Sequence, residues 1–172
     1  MTSLTFLNLS SNEFGLMPDW LGKLTSLTFL DLSKSMYLFN NQLSGSIPDS
    51  IEQLSKLESI DLSDNQLNGS IPNSFGQLSK LKSMDLSYNQ LSGRIPNSIG
   101  KLSNLETLLV DDNSLEGVIS EAHFANLSKL TKLNIGVNNL NCEMKSDWRP
   151  PFHLKYIFME SCKFGIGFPE WL

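Results

Sequence analysis

Few side chains in this 172-residue chain have types and spacing that could do chemistry beyond packing. His123 and His153 stand far apart, neither among spaced metal-binding residues nor beside a nucleophile motif, so both are read as bystanders. No catalytic residue, metal site or cofactor is expected. Cys142 and Cys162 are laterally offset in the repeat frame described below, which argues against a disulfide between them. What does recur is a set of outward-pointing charged and aromatic residues: Asp31, Asp61, Asp85, Asp111 and Asp112, flanked by Glu58, Glu106, Lys82, Tyr88 and Tyr156. An acidic strip of this kind could attract a cationic peptide or a basic protein surface, and it could equally be a solvated face.

The elements that position this set follow from an internal repeat. The pattern L-x-x-L-x-L-x-x-N-x-L, with other apolar residues allowed at the leucines, opens at Leu4, Leu27, Leu57, Leu81, Leu105, Leu130 and Leu154. The steps between them are 23, 30, 24, 24, 25 and 24 residues, a period that marks stacked leucine-rich repeats. In "LESIDLS", Leu57, Ile60 and Leu62 point inward while Asp61 and Ser63 point out, as alternation along a short strand requires. The amide at the turn can both donate and accept, so Asn12, Asn65, Asn89, Asn113 and Asn138 are expected to stack as a ladder. Asn41 resumes it after an interruption, and Cys162 takes that place in the seventh copy as a weak donor. Beyond the ladder, "GSIPNSFGQL" offers a glycine for a tight turn, Ile71 for the core and Pro72 for an extended segment; Phe75 and Leu78 follow at helical spacing.

The expected fold is an α/β repeat solenoid, a right-handed superhelix with a concave parallel β-sheet and short helical or 3₁₀ turns on its convex side. Residues 1–172 form one array of about seven repeats of about 24 residues. A single coil buries too little to offset the entropy of ordering it, so stability comes from the stack. Seven strands would make a sheet roughly 29 Å wide.

A net charge of −5 leaves no basic footprint for nucleic acid. No apolar run reaches the roughly 18 to 20 residues that span a bilayer, and Met1 to Ser10 lacks the pattern of a secretion signal, so the chain as written is expected to stay in the cytosol. Met1 lies just before the first repeat leucine and "FPEWL" stops within the seventh coil, without N- or C-terminal caps, which reads as a fragment. The sequons at Asn8, Asn68 and Asn126 would be glycosylation acceptors in a secreted chain, Asn126 the best placed because it precedes a strand.

"DLSKSMYLFNNQLSGSIP" carries six more residues than "DLSDNQLNGSIP". Either Leu27, Leu30 and Leu32 form the strand and Lys34 to Phe39 bulge out, or Met36 and Leu38 take the last two strand positions; the first buries three leucines and is preferred. The bulge would be a partner-binding protrusion or the trace of a duplication or splice-boundary error, and deleting it is expected to raise stability and leave ligand binding intact. Ser120 and Lys145 replace the usual proline, and Trp148 is expected to pack inward rather than to meet a ligand.

"LSGSIPDSI", "LNGSIPNSF" and "LSGRIPNSI" match the L-x-G-x-I-P wording of plant-type repeats. "LEGVISEAHFANLSKLTKLNI" and "DWRPPFHLKYIFMESCKFGIGFPEWL" resemble plant receptor-like proteins more narrowly, the branch that includes receptors for a fungal xylanase. That resemblance implies an interaction module rather than an enzyme. It also implies a secreted ectodomain at the plasma membrane, joined to a membrane span that this chain lacks. Signalling in defence would run through a partner receptor kinase and a co-receptor. A secreted inhibitor of pathogen polygalacturonases and the ectodomain of a receptor kinase remain as alternatives within the same fold.

Overall fold

The computed structural model describes residues 3–12, 14–34 and 42–165 of the chain. Along them run thirteen short strands: β1 (Phe6–Asn8), β2 (Phe29–Asp31), β3 (Ser44–Ser46), β4 (Ser59–Asp61), β5 (Gln66–Gly69), β6 (Ser83–Asp85), β7 (Gln90–Gly93), β8 (Thr107–Leu109), β9 (Ser114–Ile119), β10 (Lys132–Asn134), β11 (Asn139–Cys142), β12 (Tyr156–Phe158) and β13 (Lys163–Phe164). One strand per coil builds a parallel sheet in the order β1-β2-β4-β6-β8-β10-β12. Its middle residues Leu7, Leu30, Ile60, Met84, Leu108, Leu133 and Ile157 stand in register across the stack. From Leu30 to Leu133 they are buried, each contributing about 1.5–3 kcal/mol. This is the concave sheet of a repeat solenoid.

The interrupted second coil takes the preferred register. Leu27, Leu30 and Leu32 are buried, and Leu30 pairs with Leu7 on one side and Ile60 on the other. The Asn65 amide donates to the Leu32 carbonyl 33 residues earlier, where Asn89 reaches Leu62 across 27. Asn65 and Asn89 both receive the N–H of a residue 22 earlier, Leu43 and Leu67. The six extra residues therefore lie wholly between Leu32 and Leu43. Met36, Leu38, most of the Lys34 to Phe39 bulge and Asn41 lie outside the described residues.

The segment after the ladder was expected to be a tight turn, and instead it forms a second parallel sheet in the order β13-β11-β9-β7-β5-β3. Its glycines are needed for their backbone: Gly45, Gly69, Gly93 and Gly117 sit at φ between 73° and 92° at or near the strand ends, where a Cβ would be strained. Pro48, Pro72 and Pro96 then hold extended backbone and start one-turn 3₁₀ helices, Asp49–Gln53, Asn73–Gln77 and Asn97–Lys101. Pro18 does the same for Asp19–Lys23.

Where proline is replaced, the freed N–H is put to use. Ser120 donates its N–H to His123 Nδ1 at 3.1 Å, starting the 3₁₀ turn Glu121–Phe124. Lys145 donates its N–H to Glu121 Oε1 at 2.8 Å, which holds that carboxyl below its ordinary range. Trp148 packs as expected, its ring 5.9 Å from Phe124 and 6.0 Å from Phe152 and set against the core.

Candidate functional site

The concave sheet is held rigid by the ladder beside it. Asn65 donates to the carbonyls of Leu32, Leu62 and Ser63 and accepts from Leu43 N–H. Asn89, Asn113 and Asn138 repeat that set one coil at a time, while the exposed Asn12 bonds to Leu9 and Ser10 of its own coil. Cys162 occupies the same column half-buried. Contrary to the lateral offset read from the repeat, this free thiol stands beside the free thiol of Cys142, whose proton affinity is pushed up by that neighbour and by burial.

The residue before each ladder position turns the chain with a left-handed backbone: Ser11, Asp64, Tyr88, Asp112, Val137 and Ser161 have φ between 48° and 65°. This breaks strand alternation, and it decides where the acidic residues go. Asp31, Asp61 and Asp85, at the strand ends, each accept both the N–H and the hydroxyl of the serine two positions on, Ser33, Ser63 and Ser87. Asp31 also takes the Asn8 amide at 2.8 Å. Their carboxylates thus close the turn, and burial raises the proton affinity of Asp61 despite those bonds.

Asp111 departs from the outward placement read from the repeat. Leu109 holds the strand-end position in its coil, and Asp111 falls in the serine column, 7% exposed, with Oδ1 lacking a hydrogen-bond partner. Burial, then the charges of Asp85, Asp112 and Glu160, raise its carboxyl above the usual range. Asp112 stays half-buried. Tyr88 projects with 53% of its surface exposed, and Asp112 and Asp111 raise its phenol's proton affinity.

Glu58 and Lys82 pair at 2.6 Å in the open, an ion pair of small worth at such exposure. Glu106, just before β8, and Tyr156, on β12 two strands away, are exposed, and so is His153. Glu160, Phe158 and Val137 belong to the same face and escaped the sequence reading. Aligning the fifth, sixth and seventh coils by column would have found them, since each replaces a Ser, an Asp or a turn residue of the regular repeat.

Among the described residues no cluster of three or more His, Cys, Asp or Glu could hold a metal ion, and no helix is long and apolar enough to cross a membrane. The geometry offers a surface of fixed columns.

Comparison with known proteins agrees with that geometry. The Receptor-like protein EIX2 of Solanum lycopersicum is 46% identical over 54 residues, 31% of this chain and 5% of that protein. The crystal structure of PEPR1-AtPEP1 superposes with a TM-score of 0.72 at 36% identity, covering 83% of this chain and 19% of that one. The Arabidopsis receptor kinase HAESA, solved with the peptide hormone IDA and the co-receptor SERK1, gives 0.64 at 27% identity over 97% of this chain and 35% of that one. The chain thus spans a small part of each relative. The family model described as a leucine-rich repeat region matches residues 1–172, so the chain belongs to the leucine-rich repeat family and is an interaction module rather than an enzyme.

Proposed function

We propose that this chain is a ligand-binding stretch of a plant cell-surface receptor ectodomain, with the concave sheet as the face that takes up a peptide or a protein loop. In this reading the parent protein lies on the extracellular face of the plasma membrane, recognises a pathogen-derived or peptide ligand in defence, and signals through a partner receptor kinase and co-receptor. The observation that carries it is the exposure of large aromatic side chains on a sheet whose inward residues are buried from Leu30 to Leu133. Tyr156 is 59% exposed and Phe158 42%, side by side on β12, with Tyr88 three coils away. Rigid aromatic side chains on an ordered surface supply contact area at low entropic cost, and such residues dominate binding energy at interfaces. The peptide in the HAESA complex supports the class of ligand.

The test is a selection of short random peptides on the immobilised chain. Enriched peptides should lose about tenfold or more in affinity on Tyr156→Ala with Phe158→Ala, and nothing on Lys101→Ala with Glu52→Ala on the opposite side. Loss from the second pair and not the first would place binding elsewhere.

The same reading makes the exposed Asn68 and Asn126 glycan acceptors. Asn68 is the best suited, because the amide of Asn8 already bonds Asp31 and that of Asn126 the Gly100 carbonyl.

A further inference from the structure

The geometry points to Cys142 and Cys162 as a disulfide site: the two thiols close into a bond that staples the seventh coil to the sixth when the chain meets a small disulfide oxidant such as oxidised glutathione.

The strands that carry them are neighbours. β11 and β13 pair in parallel, with Asn141 opposite Lys163 and Cys142 opposite Phe164, so Cys162 lies diagonally across from Cys142, beside Leu140. Both side chains turn inward. Leu140 and Cys142 are buried, alternating with exposed Asn139 and half-buried Asn141, and Cys162 packs against the same core. The ladder gives the same placement. One rung earlier, Asn138 reaches to 2.9 Å from the N–H of Leu115, two residues past the previous rung Asn113. That step carries Cys162 to Leu140, two residues short of Cys142 on the same face of β11. Each thiol is the first influence on the other's proton, and the chain holds no other cysteine to compete.

Two residues out of step on adjacent strands, the Cα atoms stand about 8 Å apart, about 1–2 Å beyond the disulfide range. β13 can supply the difference. It is two residues long and the last strand of its sheet, paired on one side among the described residues, so it can slide along β11 without breaking a second ladder.

The two sulfurs have different tasks. Cys162 is partly exposed, and the S–H of Cys142 holds its thiol below the ordinary range against burial and the charge of Glu160, so it is the attacking group. Its thiolate takes one sulfur of oxidised glutathione, forming a mixed disulfide and releasing one glutathione thiolate. Capped in this way, Cys162 no longer raises the proton affinity of Cys142. Cys142, 4% exposed, yields its proton to the released thiolate, attacks Cys162 Sγ and expels the second glutathione. The protein gives up two thiol hydrogens, and one oxidised glutathione becomes two reduced ones. The closed loop, residues 142 to 162, contains Trp148 and all of β12, so the bond fixes the coil that bears Tyr156 and Phe158.

The test is to equilibrate the folded chain with mixtures of reduced and oxidised glutathione, quench with acid, alkylate the remaining thiols and weigh the product. The expected product is a monomer lighter than the reduced chain by two hydrogens, neither alkylated nor carrying glutathione. Half oxidation should need at least about tenfold less oxidised glutathione for the folded chain than for the chain in urea, because the fold holds the sulfurs together. Cys142→Ala should stop at a mixed disulfide on Cys162. Cys162→Ser, which leaves only the buried thiol, should take up glutathione about tenfold more slowly than Cys142→Ala. Equal requirements in the folded chain and in urea would overturn the site. So would a wild-type chain that retains glutathione, links to a second copy, or is still alkylated at both thiols in the most oxidising mixture. None of these outcomes bears on the concave face, whose peptide selection is read separately.

Discussion

The imidazole of His123 joins two coils: Nε2 lies 3.0 Å from the carbonyl oxygen of Ile95, 28 residues earlier, while Nδ1 receives the N–H of Ser120. Because Nδ1 accepts an N–H, the ring proton sits on Nε2 and is donated to Ile95. His123 is therefore more than the bystander its sequence context suggested, and its task is structural.

Replacing it should cost more than one bond. His123→Ala strands the part-buried Ser120 N–H and the buried Ile95 carbonyl, an expected loss of about 1–3 kcal/mol in urea unfolding. Adding Ser120→Pro should recover part of that loss, since proline has no N–H to strand and is the residue the preceding coils use there. Equal stability of the wild type and His123→Ala would refute this account.

Val137 is a β-branched residue at φ 48°, a backbone region that asparagine or glycine adopts far more readily. It is 47% exposed, so little packing offsets the strain. Val137→Asn should stabilise the chain by about 1 kcal/mol, read as a higher denaturation midpoint with an unchanged slope.

The seventh rung of the ladder holds a thiol where its predecessors hold an amide. Cys162→Asn should restore bonds equivalent to those Asn138 makes with Leu115 N–H and the Val110 carbonyl, and add about 1 kcal/mol. Hydrogen exchange at Leu140 should slow in that variant. An unchanged Leu140 rate would show that the seventh coil does not accept the rung.

Acid should first strengthen this protein. The carboxyl of Asp111 binds its proton more tightly folded than unfolded, where the ordinary value is 3.8, and Asp61 and Asp64 share the direction. The folded state then holds more protons, so stability rises as pH falls from neutral through the raised values toward 3.8. Glu58 and Glu121 act oppositely: their contribution is present above 4.5 and is lost as pH falls through their lowered values. Asp111→Asn should raise the neutral-pH melting temperature and flatten the rise on mild acidification. A melting temperature that falls steadily from pH 7 in the wild type would contradict this.

The columns of the concave sheet were legible because leucine spacing reports burial directly, as at Leu57, Ile60 and Leu62. The place of the six extra residues was legible for the same reason, since Leu27, Leu30 and Leu32 already complete a buried strand. The second sheet was hidden because the glycine of "LNGS" reads as a turn, and a four-residue strand such as β5 exists by its lateral pairing rather than by its own pattern. Asp111 was misplaced because alternation ends at the left-handed residue that follows it, Asp112 at φ 49°. The bonds of His123 depend on a proline that is missing elsewhere in its coil, a signal visible in the sequence and meaningful only beside its neighbours.

The ladder reaches backward by a nearly constant stride: Asn65, Asn89 and Asn113 each take the N–H of a residue 22 earlier, and Asn138 one 23 earlier. Every coil thus offers its successor the sockets it filled in its predecessor. A duplicated stretch one repeat long, inserted between two of the coils that carry Asn65 to Asn138, would find the ladder's contacts waiting. The number of coils is therefore free to drift in a lineage without a new folding problem at each step, and the binding face can lengthen or shorten while the chemistry that holds it stays the same.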